Sequence, residues 1–232
     1  MAANPSTVPT VTGERALDLV LLGPVGAGKG TQARRVAGAY RVPHLASGDL
    51  LRSYVQRGNE LGQLARTYMD RGALVPDDLV ISMILERMRE PDARHGVLLD
   101  GFPRTLPQAQ ALDSELADAG RTLKLVLYLE VPLEVLVERA ANRWTCRTCQ
   151  ATYNYRVNPP KVHGVCDIDG GELYQRADDR VEVVSERIKV YIQDTVPVVD
   201  YYRQRGILRE IDGTRDIETV AAEIAQYLAA VV

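Results

Sequence analysis

Gly23-Pro24-Val25-Gly26-Ala27-Gly28-Lys29-Gly30-Thr31 is the stretch that decides how the rest of the chain is read. It follows a short apolar run over 16–22 (ALDLVLL) and opens a helical pattern over about 28–40. Strand, glycine-rich turn and helix, in that order, is the setting in which a G-x-x-x-x-G-K core cradles phosphate. Glycines let backbone N–H groups turn inward around an anion, and the helix start adds the positive end of its dipole. Lys29 then reaches the β- and γ-phosphates as a point charge. Gly26, Ala27, Gly28, Lys29, Gly30 and Thr31 are the expected triphosphate contacts. One departure is plain: Gly30 follows the lysine where the general pattern has Ser or Thr, and the hydroxyl comes at Thr31.

Working outward, runs at 97–100, 123–130 and 206–211 resemble the first and suit buried parallel strands. Helical patterns separate them at about 77–90, 105–119, 132–141, 179–204 and 216–230. This alternation predicts an α/β fold, a parallel five-stranded sheet with flanking helices, with ligands at the carboxyl ends of the strands. Two stretches interrupt it. Residues 46–75 hold two short helical patterns split near Gly58 and Asn59. Residues 142–179 carry Cys, Gly, Asn, Tyr and two prolines with no helical period, too long for an ordinary loop. The expected division is a tail at 1–15, a core at 16–45, 76–141 and 180–232, a flap at 46–75 and a lid at 142–179.

The 232 residues carry a net charge of −3, with 46% hydrophobic and 25% charged residues. That composition excludes a disordered chain, and the charge argues against a nucleic-acid coat or a polybasic membrane binder. Four lysines stand against 24 arginines, a bias that suits phosphate and equally reflects a GC-rich genome. No apolar run is long enough for a membrane span, and the first 14 residues lack the apolar stretch of a secretion signal. The expected compartment is the cytoplasm. Three cysteines, all between 146 and 166, do not make a closed disulfide framework.

The variant G-x-x-G-x-G-K-G-T, followed by Asp100-Gly101-Phe102-Pro103-Arg104-Thr105, resembles the nucleoside monophosphate kinases, and is similar to adenylate kinases of the long, zinc-lid type. The resemblance covers about 17–230 and implies the reaction ATP + AMP ⇌ 2 ADP with Mg²⁺, in a monomer. It implies that 46–75 is an AMP-binding flap and 142–179 an ATP-covering lid. Ser47 and Arg52 resemble AMP contacts; a helix cap is the plainer role for Ser47. Ala73, Leu74 and Val75 resemble the backbone lining the AMP base. Gly101, Phe102, Pro103, Arg104 and Gln108 resemble the next acceptor group, with Arg104 on the AMP phosphate and Gln108 bonding adenine through its amide. Asp100, at a strand's tip, is read as holding Mg²⁺ through water.

Phosphoryl transfer between phosphates needs no general base, only positioning and cationic donors around the travelling group. The resemblance assigns Lys29, Arg104, Arg143, Arg176 and Arg187 to that work, with Arg176 and Arg187 also on the AMP side. Arg139 and Arg143, four apart on the helix expected to enter the lid, share a face; Arg139 flanks the ATP base and Arg143 reaches the ATP phosphates. Thr152 and Tyr153 resemble lid contacts to ATP. Gly213 and Arg215 lie in a turn, 212–215, whose backbone reads the ATP base. Asp178 and Asp179 are expected to pair arginines on closure.

Cys146-x₂-Cys149 and, after sixteen intervening residues, Cys166-x₂-Asp169 form two knuckles that resemble a structural Zn²⁺ site. Gln150 stands where a knuckle often has Gly, and His163 is a rival to Asp169. Val25, where the family usually has Pro, is expected to loosen the loop slightly. Three rivals remain: a monophosphate kinase with another donor or acceptor base, such as GTP with AMP; a nucleic-acid-binding zinc-ribbon protein; and a regulatory module that binds ATP without consuming it.

Overall fold

The computed structural model describes residues 16–58 and 60–232. The expected tail and Asn59 lie outside them. In chain order the strands are β1 (Leu17–Leu22), β2 (His44–Ala46), β3 (Gly96–Asp100), β4 (Leu123–Glu130), β5 (Arg143–Cys146), β6 (Thr152–Asn154), β7 (Leu173–Tyr174) and β8 (Leu208–Asp212). The helices are α1 (Lys29–Tyr40), α2 (Ser47–Arg57), α3 (Glu60–Met69), α4 (Asp77–Met88), α5 (Leu106–Asp118), α6 (Leu133–Ala141), α7 (Val181–Val190), α8 (Val196–Gln204) and α9 (Ile217–Ala229). Five strands form one parallel sheet in the order β2-β3-β1-β4-β8, as expected.

β1 lies at the centre, with Val20 opposite Leu99 on one side and Val126 on the other. Successive side chains leave opposite faces. Val20 and Leu22 join one apolar cluster with Leu99, Leu112 and Val198; Leu19 and Leu21 join another with Ala33, Leu127 and Ile224. Both faces are buried, which is why the strands read as almost unbroken apolar runs. The exception in β1 is Asp18, fully buried and bonded by Arg121 Nε at 2.9 Å.

The order of the sheet reverses beside β1. β3 and β4 flank it on opposite sides, so a crevice opens at its carboxyl end, where the glycine-rich turn sits. β2 has only three residues, too few to show a period, and it was not among the apolar runs. The pattern over 179–204 is not one regular helix. It breaks into a 3₁₀ turn at Ala177–Asp179, α7, a π-helical stretch at Tyr191–Thr195, and α8, whose start carries Pro197.

Residues 46–75 form α2 and α3, separated at Gly58, which takes φ 68°. Residues 142–179 contain an antiparallel sheet, β6-β5-β7, and no α-helix. Its apolar cluster is small: Cys146, Ala151, Tyr153, Cys166 and Leu173, with Trp144 against it. Trp144 meets Tyr155 edge-on with ring centres 5.5 Å apart. Among the described residues no helix is long and apolar enough to cross a membrane.

Candidate active site

The crevice is a cavity of about 670 Å³ bordered by the glycine-rich turn, the ends of β3 and β4, and the 142–179 segment. Two glycines of the turn are needed for different reasons. Gly26 has φ 86°, and a Cβ there would lie 2.6 Å from the Leu136 carbonyl oxygen. Gly28 has φ 94° with open space around it, so conformation alone requires it. Val25 packs into the apolar cluster beneath. The Lys29 Nζ donates to the carbonyls of Gly23 at 2.7 Å and Pro24 at 2.9 Å. Burial pushes the Lys29 ammonium down to about 8; Arg104, Arg187 and Arg143 push the same way and Asp100 resists.

The turn at 212–214 lies against this loop. Gly213 N donates to Glu130 O at 2.9 Å, and a Cβ at Gly213 would stand 2.6 Å from Val131 Cγ2. Arg139 donates to the carbonyls of Gly213 at 2.7 Å and Thr214 at 3.2 Å, so it clamps the turn. Arg215 borders the cavity while pairing with Glu223. Thr152 also borders it, and its Oγ1 accepts from Arg34 at 2.8 Å. Tyr153 borders the cavity as well, while its hydroxyl lies 3.4 Å from Cys166 Sγ and accepts from Asp167 N.

At the other end of the crevice a smaller cavity, about 50 Å³, is bordered by Ser47, Arg52, Ala73, Leu74, Val75, Gly101, Arg104 and Gln108. Ser47 is not a helix cap. It is the first residue of α2, and its Oγ donates to Gly101 O at 2.6 Å. Gly101 takes φ 71°, and a Cβ there would meet Ser47 Oγ at 3.0 Å and Arg104 Nη2 at 2.9 Å. Phe102 is fully buried beneath, and Pro103 borders the larger cavity. Gln108 is 1% exposed, and both ends of its amide are already engaged.

Between the two cavities lie the cations. Lys29, Arg104, Arg143, Arg176 and Arg187 all border the larger one, and Arg104 and Arg187 border both. Arg143 differs from expectation: α6 ends at Ala141, and Arg143 begins β5, so it does not share a helical face with Arg139. Its Nε donates to the buried Asp179 at 2.9 Å. Arg187 pairs with Asp178 at 2.7 Å. Burial pushes the Arg187 guanidinium down to about 10; Arg143 and Arg104 add to the fall and Asp178 opposes it. Burial would push the Asp178 carboxyl up, but Arg187, Arg52 and Arg143 outweigh it and hold it below the usual range. Such a cluster of mutually repelling buried cations is a site made for polyanions.

Asp100 ends β3 with its carboxylate among these groups. Burial acts to raise its pKa, but His44, Lys29 and Arg104 together keep it below the ordinary value. His44 Nε2 lies 3.3 Å from Asp100 Oδ2. An ionised carboxylate at a strand tip fits water-mediated Mg²⁺ binding.

The second candidate metal centre is in the small sheet. One ligand atom each from Cys146, Cys149, Cys166 and Asp169 lies within 4.8 Å of the others. Cys149 and Cys166 sulfurs are 3.6 Å apart; Zn–S bonds of about 2.3 Å at tetrahedral angles set sulfurs roughly 3.8 Å apart. Backbone N–H groups of Thr148 and Ile168 point at Cys146 and Cys166 sulfur at 3.3 and 3.5 Å. The donors fit Zn²⁺. His163 instead stacks on Tyr155 with ring centres 4.8 Å apart. Gln150 takes φ 58°, the strained turn its position implied.

His44, Arg34 and Asp49 escaped the sequence reading. Arg34 Nη1 donates to Gln150 O at 2.9 Å, so α1 holds the 142–179 segment. Asp49 takes bonds from Arg52 at 2.5 Å and Arg176 at 3.3 Å. His44 lies on a three-residue strand, and Arg34 and Asp49 are single charged residues on helices, with no spacing signal of their own.

Fold and site together define a phosphotransferase built on a phosphate-binding loop. The family model described as adenylate kinase matches residues 21–207. An adenylate kinase of Carboxydothermus hydrogenoformans is 51% identical over 212 residues, 91% of this chain and 99% of that protein. An adenylate kinase of Archaeoglobus fulgidus is also 51% identical, over 91% and 98% of the two chains. One from Moorella thermoacetica is 50% identical over 90% and 97%. The chain belongs to the adenylate kinase family.

Proposed function

We propose that this protein transfers the terminal phosphoryl group of Mg·ATP to AMP, reversibly, giving two ADP. The observation that carries the reading is the single crevice with two ends, joined by Lys29, Arg104, Arg143, Arg176 and Arg187. Two polyanions bound end to end would meet at those five cations.

In this reading Gly26 to Thr31 hold the donor phosphates, and Lys29 exchanges its bonds to the Gly23 and Pro24 carbonyls for bonds to phosphate oxygens. The 212–215 turn, steadied by Arg139, takes the donor base. Ser47, Arg52 and 73–75 line the acceptor, with Arg104 on its phosphate and Gln108 on its base. Both reacting groups are phosphates, so the acceptor oxygen is already ionised and no proton acceptor is needed. Arg143, Arg176 and Arg187 spread the charge that builds on the three equatorial oxygens. Bound Mg²⁺ would neutralise charge on the bridging phosphates, held through water by Asp100. Zn²⁺ would be structural, held by Cys146, Cys149, Cys166 and Asp169.

Residues 142–179 act as the lid and 46–75 as the acceptor flap, around a core of 16–45, 76–141 and 180–232. Their closure excludes water, which would otherwise take the phosphoryl group. Arg34 reaching Gln150 and Arg176 reaching Asp49 support a closing motion of both parts over the crevice. The test is the initial rate with Mg·ATP against AMP, GMP, CMP and UMP in turn. Fast ADP formation with AMP alone is expected. Faster turnover of another base would overturn the acceptor assignment, and binding of ATP with no turnover would overturn the activity.

A further inference from the structure

Asp77 opens α4 and has no part in the roles assigned so far. Its carboxylate is shared by two donors. Oδ1 accepts from Gln108 Nε2 at 2.7 Å, and Oδ2 accepts from Thr105 Oγ1 at 2.8 Å. On the opposite side the backbone N–H of Arg104 donates to Gln108 Oε1 at 2.8 Å. A side-chain amide carries two N–H donors and two acceptor lone pairs. Each end of Gln108 has spent one, and one donor and one acceptor remain at the border of the small acceptor cavity.

An unanchored amide can turn over and exchange its donor for its acceptor. Here that turn would set Oε1 against a carboxylate, two acceptors with no proton between them. It would also set Nε2 against the Arg104 N–H, donor against donor. Adenine offers a donor at N6 beside a ring-nitrogen acceptor, which one fixed amide can meet bidentately. A 6-oxopurine offers O6 and, on its Watson–Crick edge, N1–H, the reverse pattern. An amide free to turn would serve both.

We propose that Asp77 is a positioning residue for acceptor choice: it locks the Gln108 amide in the orientation that accepts adenine and refuses 6-oxopurines. This rests on reading Gln108 as the group that faces the acceptor base. Thr105 completes the lock, because its hydroxyl caps α5 and holds the second carboxylate oxygen.

The experiment compares kcat/KM for AMP and IMP, which has the O6 and N1–H pattern without the 2-amino group, in Asp77→Leu, Asp77→Ala, Asp77→Asn and Gln108→Ala. Asp77→Leu should raise KM for AMP, leave KM for ATP unchanged, and cut the AMP:IMP preference by about tenfold. Asp77→Ala gives the same answer should the leucine variant not fold. Asp77→Asn can pair with either end of the Gln108 amide and leaves the Arg104 N–H to hold its orientation, so its preference should fall between those of the wild type and Asp77→Leu. Asp77→Leu added to Gln108→Ala should change the preference no further. Equal losses for AMP and IMP in Asp77→Leu and Asp77→Ala would reduce Asp77 to a structural residue and overturn the lock. Gln108→Ala with an unchanged preference would overturn the base-reading role of Gln108 itself, and the lock with it.

Discussion

Lys29 sits in a place unkind to its own charge. It is buried and faces Arg104, Arg143 and Arg187, and Asp100 is the charged group that favours its proton, so its pKa falls from 10.5 to about 8. The sign of the consequence is fixed. Below pH 8 Lys29 is protonated both folded and unfolded, and the folded chain carries the full cost of the buried charge. Between about 8 and 10.5 the unfolded chain binds more protons, so this group's contribution to stability rises with pH and then levels off. A triphosphate reverses the situation by supplying the missing anion. ATP binding should therefore take up a proton above pH 8, and affinity should fall by up to about tenfold per pH unit there, while staying flat from 6.5 to 7.5. Titration calorimetry in two buffers of different ionisation enthalpy measures the uptake directly. In Lys29→Arg, whose guanidinium stays charged, the fall between pH 8 and 9.5 should vanish. Wild-type affinity that holds level to pH 9.5 would mean that Lys29 keeps its proton in the free protein through that range or does not meet the phosphates.

Among the elements, the sheet β6-β5-β7 has the least apolar support. Its cluster holds five buried residues, two of them cysteines. Backbone bonds such as Cys146 N to Ala151 O at 2.8 Å close its turns, but so few buried groups cannot offset the entropy of ordering nearly forty residues. Zinc bound by Cys146, Cys149, Cys166 and Asp169 would tie the two knuckles together. Chelation, or Cys149→Ser, is expected to lower the melting temperature by roughly 5–10 °C, at about 2–4 °C per kcal/mol for a chain of this size. Activity at low temperature should persist, because Lys29, Arg104, Arg143, Arg176 and Arg187 lie outside the cluster. Coincident melting curves for untreated and chelated protein, with no zinc by elemental analysis, would rule the site out. This element also shows what was legible in the sequence. The grouping of Cys146, Cys149, Cys166 and Asp169 and the positive φ of Gln150 follow from spacing, and the long strands follow from runs that two buried faces require. Short or irregular pieces leave no such trace: β2 has three residues, the π-helical turn at 191–195 keeps an ordinary helical pattern, and β5 starts two residues after α6 ends. Pairings such as Asp77 with Gln108 or His44 with Asp100 join residues far apart in sequence, and nothing local announces them.

At the scale of the whole molecule the crevice is spanned from both sides. Arg34 on α1 donates to Gln150 O at 2.9 Å and Thr152 Oγ1 at 2.8 Å, tying α1 to the 142–179 segment. Arg176 bonds Asp49 on α2 at 3.3 Å, tying the 142–179 segment to residues 46–75. The apolar cluster of the 142–179 segment is separate from those of the main sheet, so polar ties of this kind suit an arrangement that must open to release product. Removing the two Arg34 bonds should cost the closed arrangement about 1–2 kcal/mol, a shift of roughly five- to thirtyfold toward open forms. Arg34→Ala is thus expected to raise KM for ATP several-fold. Where opening limits turnover, kcat holds or rises, since the loss falls on the closed state and the travelling phosphoryl is served by other arginines. Trp144 is the one tryptophan in the chain and lies in β5, near the start of the 142–179 segment and edge-on to Tyr155, so its fluorescence is expected to report the motion without a label. In Arg34→Ala the change on adding a non-hydrolysable ATP analogue should half-saturate at a concentration raised by the same factor as KM. A fall in kcat at unchanged KM would instead make Arg34 a contact to the reacting phosphates, and unchanged values of both would leave the lid held by other means.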